Sequence, residues 1–277
     1  MNILHRNSLL LLFLILSQVV VGQVVSPTNS LNSSGKQQRK YDIDTLFSIN
    51  EIRQDDKMFQ ISVWRRINLK EKFNLGLYGS GSSDAKENGI INNISIGIRN
   101  NEIPVYADED FKEELNIKQF DSLFSRSGSD TLLAGNYYYL DFKEDFVFDQ
   151  RHSRHVFDIK YIQLVRPPEF NSTNMEEAPI LYIKFKDLIT YFDKFPSPNS
   201  VWINYKNSSE PLTYRQAFAA RKFRSSITKF TNERDGSVLD LVNENITDAG
   251  KRKMQAYLDG LAYEYKLLDF ENSLWEW

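Results

Sequence analysis

Residues 137–148 read YYYLDFKEDFVF, and residues 155–165 read HVFDIKYIQLV. Aromatic and β-branched side chains dominate both segments, and alternate residues from Phe157 to Tyr161 are apolar or aromatic, which is typical of a strand. The pair therefore predicts two strands. The second has the composition of a central strand and ends before Pro167, because proline cannot donate a hydrogen bond to a sheet.

The sequence on either side of these segments alternates between extended and helical patterns. Phe59–Ile67 alternates apolar and polar residues and predicts another strand. Apolar residues at helical spacing predict a short helix at Asn88–Arg99, weakened by Gly97. Ile180–Phe185 predicts a strand that runs into a short helix at Lys186–Phe195.

Two longer helices are predicted in the last third of the chain. Leu212–Phe230 is predicted as a helix, because it carries an apolar stripe at helical spacing with basic residues around it. The residues of the stripe are Ala219, Phe223, Ile227 and Phe230. A C-terminal helix is predicted over about residues 248–277. Along it, apolar residues repeat at alternating intervals of four and three, the spacing of a seam pressed against another helix or a sheet. The residues of this seam are Met254, Leu258, Leu261, Tyr265, Leu268 and Trp275.

These elements follow one another without the regular spacing of βαβ units, which favours a mixed α+β fold. We expect a mainly antiparallel sheet with packed helices and a long C-terminal helix, in one domain over residues 41–277. The glycine- and serine-rich stretch Leu75–Gly89 is predicted as a surface loop within it.

The first 40 residues have the composition of an export signal and a leader. Arg6 precedes the apolar run Leu9–Leu16, and small or modest side chains before Gln23 predict a signal peptide over residues 1–22 that is cleaved near Gly22-Gln23. The apolar stretch is shorter than the roughly 20 residues that span a bilayer. Residues 23–40 are polar and predict a flexible leader.

The overall composition narrows the class of protein. The chain has no cysteine, which excludes both a disulfide scaffold and a lipoprotein acylated on its own cysteine. Its formal net charge of −3 does not favour binding to nucleic acid. No second candidate for a membrane span follows the signal peptide, so we expect an exported chain that does not itself cross the membrane.

Candidate catalytic residues are few. His152 and His155, with Asp149, are the residues most suited to a metal or acid–base site, and they support a secreted metal-dependent hydrolase as an alternative. Arg151 and Arg154 would repel a divalent cation there, so a polar turn is favoured. The sequence contains no nucleophile motif and no phosphate-binding loop. We therefore expect no enzyme activity and no cofactor; an extracytoplasmic module that binds carbohydrate or peptide through aromatic residues is a further alternative.

Six segments, in order along the chain, resemble the GldN/PorN family of gliding-motility and type IX secretion proteins. The terminal FENSLWEW matches closely, and it is the ordered set rather than any one segment that is specific. Asn68, in VWRRINLKEKFN, and Phe146 stand where the family usually has Asp and Trp. The six segments are Val63–Asn74, Ile98–Phe111, Lys143–Asp149, Leu181–Phe195, Arg221–Lys229 and Phe270–Trp277.

The resemblance implies a non-enzymatic role in the periplasm, peripheral to the outer membrane. Family members pair with an outer-membrane lipoprotein (GldK/PorK), build a ring of many copies, and contact the periplasmic part of an inner-membrane motor (GldM/PorM). The resemblance implies no catalytic residues. Aromatic and basic residues in or near the matching segments are the candidates for partner contacts: Trp64, Arg65, Arg66, Trp202, Arg221, Phe223, Arg224 and Trp275.

Overall fold

The structure is a computed structural model that describes most of the chain after residue 51. The described residues are 52–78, 89–123, 136–152, 154–170, 177–194, 201–202 and 212–274. The predicted signal peptide (1–22), the predicted leader (23–40) and Trp275 lie outside them.

Five of the strands in the described residues form one antiparallel sheet, in the order β4-β3-β2-β1-β7, while β5 and β6 form a separate two-stranded ribbon. The strands are β1 Lys57–Asn68, β2 Tyr139–Asp149, β3 Arg154–Arg166, β4 Ala178–Lys184, β5 Val201–Trp202, β6 Leu212–Thr213 and β7 Ser226–Phe230. The two long segments quoted first are β2 and β3, and β3 is an interior strand as predicted.

The helices lie between and after these strands. They are α1 Leu75–Tyr78, α2 Ile90–Arg99, α3 Ile117–Leu123, α4 Phe185–Lys194, α5 Tyr214–Ala219, α6 Val238–Leu241 and α7 Ala249–Leu274. The α+β class, the mainly antiparallel sheet and the long C-terminal helix are confirmed. Across the described residues, no helix combines the length and the apolar character that crossing a membrane requires.

The core consists of two hydrophobic clusters. The larger one joins α2, α4 and α5 to Ile67 of β1 and Phe142 of β2. The smaller one lies between the sheet and α7 and includes Val63 of β1 and Leu267 of α7. Because Val63 and Ile67 are both two residues from Arg65 on the same strand, Arg65 lies on the same face of the sheet, between the two clusters.

The predicted helix over Leu212–Phe230 is wrong. Helix α5 ends at Ala219, Arg221 adopts a left-handed backbone conformation with a φ of 47°, and β7 then pairs with β1 along the edge of the sheet. Ile227, which belonged to the predicted stripe, is instead buried in the smaller cluster. Pairing with β1 satisfies the backbone of this segment and overrides its local helical spacing.

Helix α7 packs with a different side from the one predicted. The side toward the sheet carries Ala256, Gly260, Tyr263, Leu267 and Phe270. The predicted seam faces solvent within the described residues: Met254 is 62% exposed, Leu258 48%, Tyr265 67% and Leu268 48%. The packed side contains small and aromatic residues, and these residues are not part of the apolar pattern with alternating intervals of three and four.

Two glycine-containing segments pack more tightly than their sequence indicates. Leu75–Tyr78, at the start of the predicted loop, forms α1 and buries Gly76 and Leu77. In α2, a Cβ atom at Gly97 would lie 2.5 Å from Ile103 Cδ1 and 2.8 Å from Tyr191 Cζ. Gly97 therefore allows close packing as well as lowering helix propensity.

Gly260 offers a direct test of the contact between α7 and the sheet. A Cβ atom there would lie 2.7 Å from the backbone oxygen of Ile227 in β7, so α7 would have to move away from the strand. We expect Gly260→Ala to lower the free energy of unfolding by about 1–3 kcal/mol, the usual cost of overpacking. Urea denaturation measures the change.

The control for this prediction is Ala262→Gly on the exposed side of the same helix, which should cost about 1 kcal/mol from helix propensity. If propensity were decisive at Gly260, alanine there would stabilise the protein by a similar amount. A stabilised Gly260→Ala variant would therefore contradict the close contact with β7.

Candidate functional site

A buried carboxylate, that of Glu144, is the centre of a network of ion pairs between the core and the surface. Glu144 of β2 is 1% exposed and accepts hydrogen bonds from two arginines. Arg65 donates through Nε at 2.6 Å, and Arg221 donates through Nη1 at 2.7 Å and Nη2 at 3.2 Å. Arg65 also donates to Glu264 of α7 at 2.8 Å. This network ties β1, β2, α7 and the turn after α5 together.

The turn after α5 directs Arg221 into that network. The N–H of Arg221 donates to the oxygen of Phe218 at 3.0 Å, and the N–H of Lys222 donates to the oxygen of Ala217 at 2.8 Å, which closes the C-terminal end of α5. The guanidinium of Arg221 lies 4.5 Å from the ring centre of Phe157. The left-handed backbone conformation of Arg221 is unfavourable for a non-glycine residue. It is stabilised because the guanidinium group contacts Glu144 on one side and the ring of Phe157 on the other.

Asn74 connects the same turn to the end of β1. Its side chain is fully buried, accepts from the backbone N–H of Arg224 at 2.8 Å and donates to the backbone oxygen of Arg224 at 2.9 Å. The same amide nitrogen donates to the oxygen of Asn68 at 2.8 Å. Asn74 therefore fixes the end of β1 against the turn after α5, although Asn74 and Arg224 are 150 residues apart in the chain.

Between these anchored segments and α7 lies a groove of about 740 Å³, which we call the basic groove. Its walls combine cationic side chains with aromatic and aliphatic ones. The residues that line it are Arg65, Lys72, Phe73, Leu75, Gly76, Trp202, Arg221, Lys222, Phe223, Arg224, Ser225, Leu261 and Glu264.

The charges in the basic groove are only partly balanced. Glu144 and Glu264 pair with Arg65 and Arg221. Lys72, Lys222 and Arg224 are exposed, and among the described residues no carboxylate forms an ion pair with them. The exposed cations at the edge of the groove therefore carry an excess of positive charge, whereas the paired charges inside the groove balance one another.

Two aromatic side chains give the basic groove its apolar character. Phe73 is 62% exposed, which is unusual for a phenylalanine in a folded domain. Trp202 packs against the larger core cluster, and its buried Nε1 has no hydrogen-bond partner within the described residues. An indole N–H in this position favours an incoming acceptor, because a buried donor without a partner costs free energy.

The structure brings five of the eight candidate contact residues together in the basic groove, namely Arg65, Trp202, Arg221, Phe223 and Arg224. Arg65 is only 4% exposed, so it holds the wall of the groove in place rather than contacting a partner. Lys72, Phe73, Glu144 and Glu264 were not candidates from the sequence. The signal that could have found Glu144 is its place in a strand whose neighbours on the same face are apolar.

Trp64 and Arg66 lie on the opposite face of the sheet, because successive residues of β1 point to alternate faces. Trp64 donates through Nε1 to the hydroxyl of Tyr161 at 3.0 Å, and Arg66 donates to both oxygens of Asp141 at 2.7 and 2.8 Å. Burial, and after it the hydrogen bond to Glu109, raises the pKa of Tyr161. Both candidates are thus engaged within the chain and are separate from the basic groove.

The three residues of the alternative metal site do not converge. His155 lies opposite Phe148 in the sheet and stacks on Phe146 with ring centres 5.0 Å apart, while Asp149 is on the other face of β2. Burial lowers the pKa of His155, with a smaller opposing effect of Glu271. Within the residues that the structure describes, no group of three or more suitable side chains could hold a metal ion.

Asp149 instead holds the turn between β2 and β3. Its Oδ1 accepts from the backbone N–H of Arg151 at 3.1 Å and of His152 at 3.2 Å, and its Oδ2 lies 2.6 Å from His152 Nδ1. Burial acts to raise the pKa of Asp149, but the hydrogen bonds from His152 and from the backbone together lower it below its ordinary value. The carboxylate form therefore stabilises the folded state.

This turn predicts a pH dependence. A carboxyl group whose pKa is lower in the folded state contributes stability above its unfolded pKa of about 3.9, and that contribution is lost as the pH falls through the folded value. We expect Asp149→Asn to be less stable than the unmodified chain near neutral pH, with the difference shrinking below pH about 4. Urea denaturation of both proteins across this range measures it, and a pH-independent difference would contradict the role of the carboxylate.

A family model, described as "Gliding motility associated protein GldN", matches residues 52–276. That range includes the sheet, the network around Glu144, the basic groove and α7. The chain belongs to the GldN family. No curated protein sequence matches it. As a GldN-family protein it is a component of the gliding-motility and type IX secretion machinery, and this is not a family of known enzymes.

Proposed function

We propose that this GldN-family chain is a non-enzymatic scaffold of the periplasm. It forms a ring of many copies with an outer-membrane lipoprotein of the GldK/PorK type and contacts the periplasmic domain of a GldM/PorM-type motor. The proposal gives the chain no cofactor and no catalytic residue.

The basic groove is the observation that carries this proposal. Protein interfaces concentrate aromatic and arginine side chains at their centres, in pockets that are held rigid before binding. The groove has this composition, and the ion pairs of Glu144 and the hydrogen bonds of Asn74 hold its walls in place. A rigid groove loses little conformational entropy when a partner binds.

The chemistry of the groove defines the segment that would bind there. Lys72, Lys222 and Arg224 favour carboxylates, while Phe73 and Phe223 favour an apolar side chain. We expect an acidic segment with one aromatic or aliphatic anchor, contributed by the lipoprotein partner.

The expected location follows from the N-terminal sequence and the composition. The signal peptide predicted over residues 1–22 would deliver the chain to the periplasm. Since the sequence has no cysteine for acylation, a lipidated partner would hold the chain at the outer membrane.

Co-expression with the lipoprotein tests the proposal. The partner is a GldK/PorK-type lipoprotein of the same organism, and we expect the two proteins to co-purify without bound zinc. Affinity purification followed by metal analysis gives both results. Stoichiometric zinc in a chain that forms no complex would overturn the scaffold and favour the hydrolase.

A further inference from the structure

The sequence of this chain contains a segment with the chemistry that the basic groove favours. Residues 41–51 read YDIDTLFSINE and lie outside the described residues. They carry three carboxylates and no basic residue. At the start of the segment, the apolar side chains of Tyr41 and Ile43 alternate with Asp42 and Asp44. The segment is therefore acidic and has aromatic and aliphatic anchors.

The basic groove complements this segment in charge and in apolar surface. Lys72, Lys222 and Arg224 are exposed, and among the described residues no carboxylate forms an ion pair with them. Phe73, which is 62% exposed, and Phe223 provide apolar surface in the same groove. Because successive side chains of an extended segment point to opposite sides, the two apolar anchors would contact the aromatic wall while the two aspartates contact the cations.

The segment joins the sheet at the end that is remote from the groove. It leads into the turn Gln54–Asp56, and Asp56 accepts a hydrogen bond at 2.9 Å from the N–H of Gln150, in the turn after β2. Strand β1 then runs from Lys57 along the sheet and reaches the groove at Arg65. The length of β1 therefore separates the segment from the groove of its own chain.

This separation makes a second copy the better source of the segment. From Lys57 to Arg66, which pairs with Ser226 at the start of β7, β1 extends about 30 Å. A fully extended chain from Asp44 to Ile52 spans at most about 29 Å. Within one chain the segment would have to be straight along its whole length, with nothing left to pass around the sheet, and a linker that barely spans two sites gives a very low effective concentration. A second copy is under no such restriction.

We propose that, before the lipoprotein binds, the basic groove of one copy of this chain binds residues 41–51 of a second copy. The contact is heterologous, because one copy contributes its groove and the other its segment. Each copy can therefore bind one neighbour through its groove and another through its segment. Such contacts produce a closed ring when the rotation between neighbours closes, and an open series of copies when it does not.

This inference rests on the proposed function, because it concerns the groove that the lipoprotein is proposed to bind. The segment of the second copy and the acidic segment of the lipoprotein have the same chemistry, so they cannot occupy one groove together. Self-association therefore covers the groove of copies that have no lipoprotein, and the lipoprotein binds by displacing the neighbouring segment.

Mixing two variants of the mature chain tests the contact. The groove variant carries Lys72→Glu, Lys222→Glu and Arg224→Glu and keeps its segment. The segment variant carries Asp42→Asn and Asp44→Asn and keeps its groove, and it gains no cation that could bind the altered groove. We expect each variant alone to sediment as a monomer and the equimolar mixture to sediment as a 1:1 dimer, because only one intact groove meets one intact segment. The unmodified chain should form larger species at the same concentration.

The control reverses the same number of charges outside the groove, at Lys118, Arg151 and Lys186, which are exposed. This variant should sediment like the unmodified chain. A monomeric mixture of the groove and segment variants, or a monomeric unmodified chain, would overturn the proposal.

Disulfide trapping shows which groove the segment enters, because the chain has no cysteine of its own. Ser225 lines the groove and Ile43 belongs to the segment. Under mild oxidation, we expect the Ile43→Cys/Ser225→Cys double variant to form a series of covalent oligomers. Ile43→Cys/Lys118→Cys, with its second cysteine outside the groove, should form far fewer. A covalent monomer of the first double variant would place the segment in its own groove and overturn the proposal.

Adding the lipoprotein to the 1:1 dimer separates this inference from the proposed function. We expect the lipoprotein to displace the segment and release monomers of the groove variant. A dimer that forms but never binds the lipoprotein would contradict the proposed function alone. A monomeric mixture, with a lipoprotein that binds the unmodified chain, would contradict this inference alone.

Discussion

Replacing Glu144 by Gln is expected to lower the free energy of unfolding by about 3–5 kcal/mol, the usual cost of removing one partner from a buried ion pair. Glu144 is 1% exposed and forms ion pairs with both Arg65 and Arg221. Glutamine has the same shape but no charge, so two guanidinium groups would share a largely buried site with one remaining carboxylate, Glu264. The substitution also weakens one of the contacts that hold Arg221 in its left-handed conformation.

Urea denaturation of Glu144→Gln and of a matched control measures the effect. Asp121→Asn alters the exposed pair of Asp121 with Arg99 by the same change in charge, and it should cost no more than about 1 kcal/mol. Glu144→Leu combined with Arg65→Met and Arg221→Met should be more stable than Glu144→Leu, because it removes both guanidinium groups together with their buried carboxylate and leaves only Glu264, which is 34% exposed, without its partner. If Glu144→Gln unfolds like the Asp121→Asn control, the network does not hold the fold together.

Reversing the unpaired charges of the basic groove is expected to weaken lipoprotein binding by about 30-fold or more, since hot-spot contacts contribute at least about 2 kcal/mol. The variant carries Lys72→Glu, Lys222→Glu and Arg224→Glu. All three side chains are exposed and outside the ion pairs of Glu144, so the fold should remain intact. The repulsion between the new carboxylates and an acidic segment adds to the lost attraction.

The control for the groove variant changes the same amount of charge elsewhere. Lys118, Arg151 and Lys186 are exposed on α3, on the turn after β2 and on α4, away from the residues that line the groove. Their replacement by Glu should leave the dissociation constant within a few-fold of the unmodified value, and titration calorimetry compares the two. Equal losses in both variants would show that net charge, and not the groove, governs binding.

The long strands could be predicted because their patterns are local. β2 and β3 are dense in aromatic and β-branched residues over more than ten positions each, and β1 alternates cleanly. The same alternation places Arg65 and Glu144 on the apolar faces of their strands. Charged residues in such positions indicate a buried ion pair, and this signal was present in the sequence.

The segment after α5 could not be predicted in the same way. Ile227 and Phe230 fit a helical stripe with Phe223, and nothing local in the sequence marks Arg221 as left-handed. Its conformation depends on Glu144, 77 residues earlier, and the strand that follows depends on β1. Long-range contacts decided both outcomes.

The composition of the basic groove could be anticipated in part, but its assembly could not. Of the eight aromatic and basic candidates in or near the matching segments, five line the groove. Their convergence requires the amide of Asn74 to bridge the end of β1 and the turn after α5. The alternating spacing on α7 marked the wrong side of the helix, because the sheet packs against the other side and leaves the predicted seam exposed.

The mass of the complex formed with the lipoprotein tests the proposed scaffold most directly. Light scattering of the co-purified proteins should show a particle of many copies of each chain, and the groove variant should reduce it to separate proteins. A single pair of the two chains, or a chain that elutes without the lipoprotein, would contradict the scaffold.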